Sequence, residues 1–229
     1  MSDVAVIVGA GRGIGAASAV RLAREGYLVV IAARTEEQLA AVAAEEERIT
    51  PVVADAGGEA DIGRLAALAE SLGRLAVWVN CAAILERIPF ADLDVARWRE
   101  VMRVDLDGVY LGCREAFRRM SASGGGVIVN LGSLSGVPNV EKFPGLAAYN
   151  VAKAGVIALT EAVALEGRPL GVRCVCLSPG AVDTELLRQA APHLRPGMTP
   201  DDAAAIISFL VSDAAAPLSG SNIPVFSNA

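Results

Sequence analysis

Short apolar runs alternate with longer amphipathic, alanine-rich segments along the whole chain. The short runs predict strands, which span 4–9, 27–33, 51–54, 75–80, 126–132 and 172–178. Several of them are apolar at consecutive positions, which is typical of strands buried on both faces. The segments between them predict helices, which span 13–25, 35–48, 59–72, 94–120, 146–166 and 201–212. The sequence NIPVF near the C-terminus predicts a seventh strand. This rhythm predicts an α/β fold of the doubly wound Rossmann type, a parallel sheet of about seven strands with helices on both faces.

The bulk composition narrows the class of protein. Hydrophobic residues make up 53 % of the chain and no Pro/Gly/Ser-rich linker interrupts it, which favours a single domain over residues 1–229. The net charge of −6 argues against a nucleic-acid partner, which requires a basic face to neutralise phosphates. The first residues lack the pattern of a signal peptide, and no apolar run approaches the roughly 20 residues of a membrane span. We therefore expect a cytoplasmic protein with a small-molecule partner and no membrane contact.

The cysteines and the single histidine offer little for metal binding. None of the four cysteines forms a C-x-x-C pair, and His193 is the one histidine of the chain. A zinc site usually draws on four such ligands. We expect no metal and reduced, structural cysteines.

A glycine-rich turn, GAGRGIG at 9–15, connects the first predicted strand to the first predicted helix. Gly9, Gly13 and Gly15 have the spacing G-x-x-x-G-x-G, and Ile14 lies between the last two. Such a turn lets backbone N–H groups and the helix dipole face a pyrophosphate at close range. A merely tight connection between strand and helix is the alternative.

The end of the second strand indicates which dinucleotide is bound. A site selective for NAD usually places Asp or Glu there to bind the ribose 2′-hydroxyl, but this chain has Ala33 followed by Arg34. An arginine fork fits a 2′-phosphate, and Arg12 in the glycine turn can approach the same group. Two cations and no acid favour NADP(H) over NAD(H). Solvated surface arginines are the alternative. Thr35 and Gln38, which follow, have the spacing of a helix-capping box.

Tyr149 and Lys153 are four residues apart in a predicted helix, so they lie one turn apart on the same face. An ammonium about 4 Å from a phenolate contributes about 4 kcal/mol at an effective dielectric of about 20. That attraction corresponds to roughly three pKa units, before burial opposes it. The pair therefore predicts a tyrosine usable as an acid or base, with two ordinary helix residues as the alternative.

At these motifs the chain resembles the short-chain dehydrogenase/reductase family over almost its whole length. The positions that match the family's motifs are Gly9, Gly13 and Gly15 in the glycine turn, Asp55 after the third strand, Asn80 and Ala82 in NCAA, Ser133 in VNLGSLSG, Tyr149 and Lys153 in YNVAK, and Pro179, Gly180, Val182 and Thr184 in SPGAVDT. Val8, Cys81 and Ala83 depart from the usual residues.

The resemblance implies the roles of the catalytic residues. Ser133 is expected to hydrogen-bond the substrate oxygen, Tyr149 to exchange the proton, and Lys153 to lower the tyrosine pKa and bind the nicotinamide ribose. Asp105 aligns with the family's catalytic asparagine, which acts largely through its backbone carbonyl, so we expect it to be an altered member of the catalytic group.

The expected cofactor contacts follow from the same motifs together with the two arginines. They are Gly9, Arg12, Gly13, Ile14, Gly15, Arg34, Asp55, Asn80, Ala82, Tyr149, Lys153, Pro179, Gly180, Val182 and Thr184.

The expected function is hydride transfer between NADP(H) and a carbonyl or alcohol substrate. A cofactor-binding regulator without chemistry is one alternative, and an epimerase or dehydratase using the same site is another. The segment 185–198 resembles the family's substrate lid, and its low aromatic content suggests a small or medium carbonyl compound. His193, within it, is expected at the surface. The family implies a homodimer or homotetramer that pairs the helices 94–120 and 146–166.

Overall fold

Seven parallel strands form one sheet at the centre of the molecule. The computed structural model describes residues 2–191 and 193–227. The strands are β1 (Asp3–Val8), β2 (Leu28–Ala33), β3 (Ile49–Val53), β4 (Arg74–Asn80), β5 (Gly126–Leu131), β6 (Val172–Pro179) and β7 (Asn222–Val225). Their order is β3-β2-β1-β4-β5-β6-β7, and every neighbouring pair is parallel. The predicted doubly wound sheet is confirmed.

Eight α-helices accompany the strands in the described part of the chain. They are α1 (Gly13–Arg24), α2 (Glu36–Ala43), α3 (Glu59–Leu72), α4 (Val95–Met102), α5 (Gly108–Ala122), α6 (Ala147–Gly167), α7 (Glu185–Ala190) and α8 (Pro200–Val211). The helix expected at 94–120 is divided into α4 and α5 by the π-helical turn Arg103–Asp107. The short helix α7, inside the lid, was not predicted, because six residues are too few to show helical periodicity.

The two faces of the sheet are covered by different helices. Along β1, Ala5 and Ile7 join a core with residues of α1, α2 and α8. Val4 and Val6 join a second core with residues of α3, α5 and α6 on the opposite face. Successive strand residues point to opposite faces, so a strand covered on both sides is apolar at every position.

A chain of buried hydrogen bonds ties the central strands to α6. Trp78 Nε1 donates to Asn80 Oδ1 at 2.8 Å, and Asn80 Nδ2 donates to Asn130 Oδ1 at 2.8 Å. Asn130 Nδ2 in turn donates to Thr160 Oγ1 of α6 at 2.9 Å. Buried polar groups need such partners, so this chain fixes α6 against the ends of β4 and β5.

The expected capping box at α2 does not form. Thr35 is the residue before the helix, but its side chain makes no capping hydrogen bond. The Gln38 side chain lies instead against Gly11, where an added Cβ would be 2.9 Å from Oε1. At α8, by contrast, Thr199 and Asp202 form a complete capping box. The spacing at α2 was therefore misread, because the Gln38 side chain lies beside the glycine turn instead of at the helix start.

By length and composition, one helical stretch of the described chain, Ala147–Leu170, is apolar enough to cross a membrane, with a mean hydropathy of 1.2. The sequence reading found no such stretch. The helix packs on the sheet through Ala152, Val156 and Ala164, which are buried. It carries both Tyr149 and Lys153, so it has the position of a core helix.

Candidate active site

A continuous cleft lies at the carboxyl ends of the strands, where β1 and β4 are neighbours and the chain order of the sheet reverses. This is the ligand-binding position of open α/β sheets. The cleft consists of a larger cavity of about 520 Å³ and a smaller one of about 180 Å³. Both cavities are lined by Ile14, Cys81, Ala83, Thr184 and Leu186.

The glycine turn forms the floor of the larger cavity. Gly9 has a φ of +91°, and an added Cβ would lie 2.3 Å from the backbone N of Ala82. A Cβ on Gly15 would lie 2.3 Å from the backbone oxygen of Gly9, so this glycine brings α1 onto β1. No side chain caps the start of α1, and its first turn contains no acid. The first N–H groups of a helix have no partner within the helix, so the start of α1 fits a pyrophosphate.

Arg34 and Arg12, which were both expected near the 2′-phosphate position, differ in their surroundings. Arg34 is exposed, lines the larger cavity and has no side-chain ion pair in the described part of the chain. Arg12 also lines it, but its guanidinium pairs with the carboxylate of Glu185 in α7. The structure thus places an acid beside Arg12 that the sequence did not reveal, since Glu185 lies over 170 residues away in sequence and meets Arg12 only in the fold. The preference for NADP(H) stays a prediction.

Asp55 lies after β3 and lines the same cavity. Its Oδ2 accepts a hydrogen bond from Arg103 Nη1 at 2.8 Å, and its Oδ1 accepts one from the N–H of Gly57 at 3.0 Å. Burial acts to raise the pKa of Asp55, but these two donors together hold it below its usual range. The carboxylate is fixed in place and ionised at neutral pH.

Three of the four expected catalytic residues line the smaller cavity. Ser133 follows β5, and its Oγ accepts a hydrogen bond from the N–H of Ser135 at 3.1 Å. Tyr149 lies in the first turn of α6, with Lys153 one turn later. Lys153 Nζ is 5.6 Å from the Tyr149 ring centroid and donates to the backbone oxygen of Leu131 at 3.0 Å. All three side chains line the cavity.

In the protein alone, the pKa of Tyr149 is raised rather than lowered. Burial raises it most, Lys153 lowers it, the Asp105 carboxylate raises it and Ser133 lowers it. The expected depression by Lys153 is present but is outweighed. Burial and the Asp105 carboxylate together raise the Tyr149 pKa by more than the lysine lowers it.

Asp105 is that acid, and it lies behind the lysine rather than in either cavity. It belongs to the π-helical turn and is completely buried. Oδ1 accepts a hydrogen bond from the N–H of Ile84 at 2.8 Å. Oδ2 has no hydrogen-bond partner among the described residues and lies 3.8 Å from Lys153 Nζ. Burial raises the pKa of Asp105 to about 6, although Lys153 and the Ile84 N–H oppose this.

The other expected contacts divide between the two cavities. Those lining the larger one are Gly9, Arg12, Gly13, Ile14, Arg34, Asp55, Ala82 and Thr184. Those lining the smaller one include Pro179, Gly180 and Val182. Gly15, Asn80 and Asp105 line neither, and the Asn80 amide is engaged in the buried chain that supports α6.

Sequence reasoning missed several lining residues. Cys81 lines both cavities, and burial raises the pKa of its thiol to about 11, so it is a neutral wall. Phe143 and the lid residue Leu187 line the smaller cavity. In the sequence, Cys81 lies between the matched positions Asn80 and Ala82 and differs from the residue usual in the family. His193 is exposed, as expected, with its ring centroid 6.1 Å from that of Phe143.

We predict that Asp105 makes folding stability fall as pH rises. Its pKa is raised to about 6 in the folded protein, against an ordinary value near 4. Between these values the folded state binds more protons than the unfolded state, so the free energy of unfolding falls with rising pH. The shift of about two units corresponds to about 3 kcal/mol. The range from pH 4 to 7 covers most of this change, so denaturant unfolding should show wild type losing about 2 kcal/mol relative to Asp105→Asn.

The matched control is Asp107→Asn, which removes an exposed carboxylate from the same turn. Its stability profile should run parallel to that of wild type. Parallel profiles for wild type and Asp105→Asn would contradict the account.

The comparisons with known proteins agree with this geometry. The sequence model of the short chain dehydrogenase family matches residues 3–195. Cis-4-hydroxycyclohexanecarboxylate dehydrogenase from Sinomonas cyclohexanicum is 36 % identical, covering 97 % of this chain and 94 % of that protein.

Two solved structures have the same fold throughout. One, described as ribose-5-phosphate isomerase from Brucella melitensis 16M, has 36 % identity and a TM-score of 0.89, covering 97 % of this chain and 90 % of its own. The other, 3-ketoacyl-(acyl-carrier-protein) reductase from Brucella melitensis complexed with NADH, has 31 % identity and a TM-score of 0.88, covering 97 % and 96 %. The chain belongs to the short-chain dehydrogenase family.

Proposed function

We propose that this protein is an NADP(H)-dependent oxidoreductase that interconverts a small ketone and its secondary alcohol. The observation that carries the proposal is the meeting of Ser133, Tyr149 and Lys153 in a cavity continuous with the glycine-floored cleft. The family uses a nicotinamide cofactor, and one solved relative holds NADH.

The residues of the larger cavity suit the parts of a dinucleotide. The uncapped first turn of α1 would hold the pyrophosphate, and Asp55 would meet the adenine. Arg34 would bind a 2′-phosphate, and the small side chain of Ala33 would leave room for it. Thr184, which lines both cavities, would meet the nicotinamide side. The bound cofactor supplies hydride for reduction and accepts it in oxidation.

The smaller cavity supplies the proton chemistry. In reduction, Tyr149 donates its phenolic proton to the carbonyl oxygen as that oxygen gains negative charge, and Ser133 donates a hydrogen bond to the same oxygen. Oxidation of the alcohol reverses both steps, with the phenolate as base. Lys153 stabilises that phenolate through its charge.

The lining of the smaller cavity supports an uncharged, apolar substrate. Apart from the catalytic Lys153, its described lining contains one charged side chain, Glu141. The apolar lining includes Leu85, Val140, Phe143, Leu146, Leu187 and Leu194. Such a wall cannot compensate the desolvation of an anionic group, and it favours compact aliphatic or cyclic ketones.

A redox-neutral isomerase is a second candidate, because one solved relative is described as an isomerase. It would form product without net consumption of cofactor. An assay that follows both substrate and cofactor separates the two reactions.

We predict that Tyr149→Phe lowers turnover of small ketones with NADPH by roughly 100- to 10,000-fold, the usual contribution of a positioned acid or base. Binding of NADPH should change little, because the ring is retained. Steady-state rates on a panel of uncharged cyclic and aliphatic ketones provide the measurement. Tyr110→Phe, at an exposed position of α5, is the matched control. Undiminished turnover in Tyr149→Phe would refute the assigned role, and NADPH binding without turnover in wild type would favour the regulator.

We predict that Arg34→Ala weakens NADPH binding about 10- to 100-fold and leaves NADH binding unchanged, because a hydrogen bond to a charged group is worth roughly 1.5–3 kcal/mol. Fluorescence titration with both cofactors provides the measurement. Arg168→Ala removes an exposed arginine outside the cleft and should change neither affinity. Equal losses for NADPH and NADH would count against recognition of the 2′-phosphate.

A further inference from the structure

A buried carboxylate stands behind the Tyr149–Lys153 pair. The side chains of Lys153 and Asp105 are 2 % and 0 % exposed, and their Nζ and Oδ2 atoms are 3.8 Å apart. Charges this far from water are weakly screened, so each strongly affects the ionisation of the other and of any neighbour.

The position of Asp105 is fixed by the backbone. The π-helical turn between α4 and α5 places it inward, and its Oδ1 is held by the N–H of Ile84. Turns of this kind are frequent at functional sites. Oδ2, without a hydrogen-bond partner, is left to face Lys153. An unpartnered buried oxygen is costly, which makes its position beside the ammonium significant.

The groups that face the pair include few charges. Tyr149 is influenced by Lys153, Asp105, Ser133 and Cys81. Lys153 is influenced by Asp105, Tyr149, Cys81 and Cys176. Burial raises the pKa of both thiols, so they stay neutral. Asp105 is therefore the group that decides how much of the lysine's charge reaches the tyrosine.

We propose that Asp105 is a positioning residue that compensates the charge of Lys153 and thereby keeps Tyr149 protonated to higher pH. This inference rests on the proposed function of the same site. The Asp105 carboxylate extends the pH range over which the site can protonate a carbonyl oxygen. It also moves the onset of alcohol oxidation to higher pH.

The direction in which Asp105 changes the Tyr149 pKa follows from simple electrostatics. A lone ammonium favours the phenolate, whereas an ammonium paired with a carboxylate presents a dipole with little net charge. The Asp105 charge accordingly acts to raise the pKa of Tyr149. Removing that charge, with the side-chain shape retained, should let Lys153 act alone and lower it.

The first experiment compares Asp105→Asn with wild type in pH profiles of both reaction directions. The asparagine keeps an oxygen for the Ile84 N–H but carries no charge. We expect the alkaline fall in ketone reduction and the alkaline rise in alcohol oxidation to move together to lower pH. Asp107→Asn, in the same turn but exposed, should leave both limbs in place. Unmoved limbs, or limbs that move to higher pH, would overturn the proposal.

A second experiment needs no turnover. Tyrosinate absorbance reports all three tyrosines, so subtracting the titration of Tyr149→Phe isolates Tyr149. The difference should titrate at lower pH in the Asp105→Asn background than in wild type. If Asp105→Asn does not fold, Asp105→Ser provides the uncharged side chain. If the Tyr149 titration moves to lower pH but the enzyme is inactive on every ketone, only the proposed function is overturned. If the enzyme is active but the titration does not move, only the role of Asp105 is overturned.

Discussion

The burial of one positive charge constrains the whole catalytic region. Lys153 has almost no contact with water, so its ammonium has to be stabilised by protein groups. The backbone oxygen of Leu131 accepts its hydrogen bond, and the Asp105 carboxylate lies 3.8 Å away. These partners come from the end of β5 and from the π-helical turn. The site therefore depends on the packing of α6 against both, and the buried chain from Trp78 to Thr160 secures α6 against β5.

The larger cavity depends on a close approach of two backbone segments. The turn after β1 contacts the turn after β4 so closely that Gly9 leaves no space for a side chain beside Ala82. These two strands are neighbours only because the chain order reverses at this point of the sheet. The same reversal opens the crevice, so one feature of the topology both requires the glycine and provides the cavity.

Much of the fold could be predicted because its signals are local. Continuous apolar strands predict a sheet covered on both faces, and the matched motifs lie at the ends of those strands, where the cleft forms. The features that were missed depend on long-range contacts. The Arg12–Glu185 pair joins the glycine turn to the lid, and the Asp105 carboxylate meets Lys153 from another helix. Asn80 lay in a matched motif, yet its side chain serves the buried hydrogen-bond chain. Periodicity and motif spacing carry no information about such pairings.

The central claim is that this cleft transfers hydride from NADPH to a ketone while Tyr149 supplies the proton. The most direct test uses NADPH carrying deuterium at both C4 positions, with mass spectrometry of the alcohol formed in ordinary water. The account predicts one deuterium on the carbinol carbon for each cofactor consumed. Alcohol without deuterium, or product formed without cofactor consumption, would contradict it.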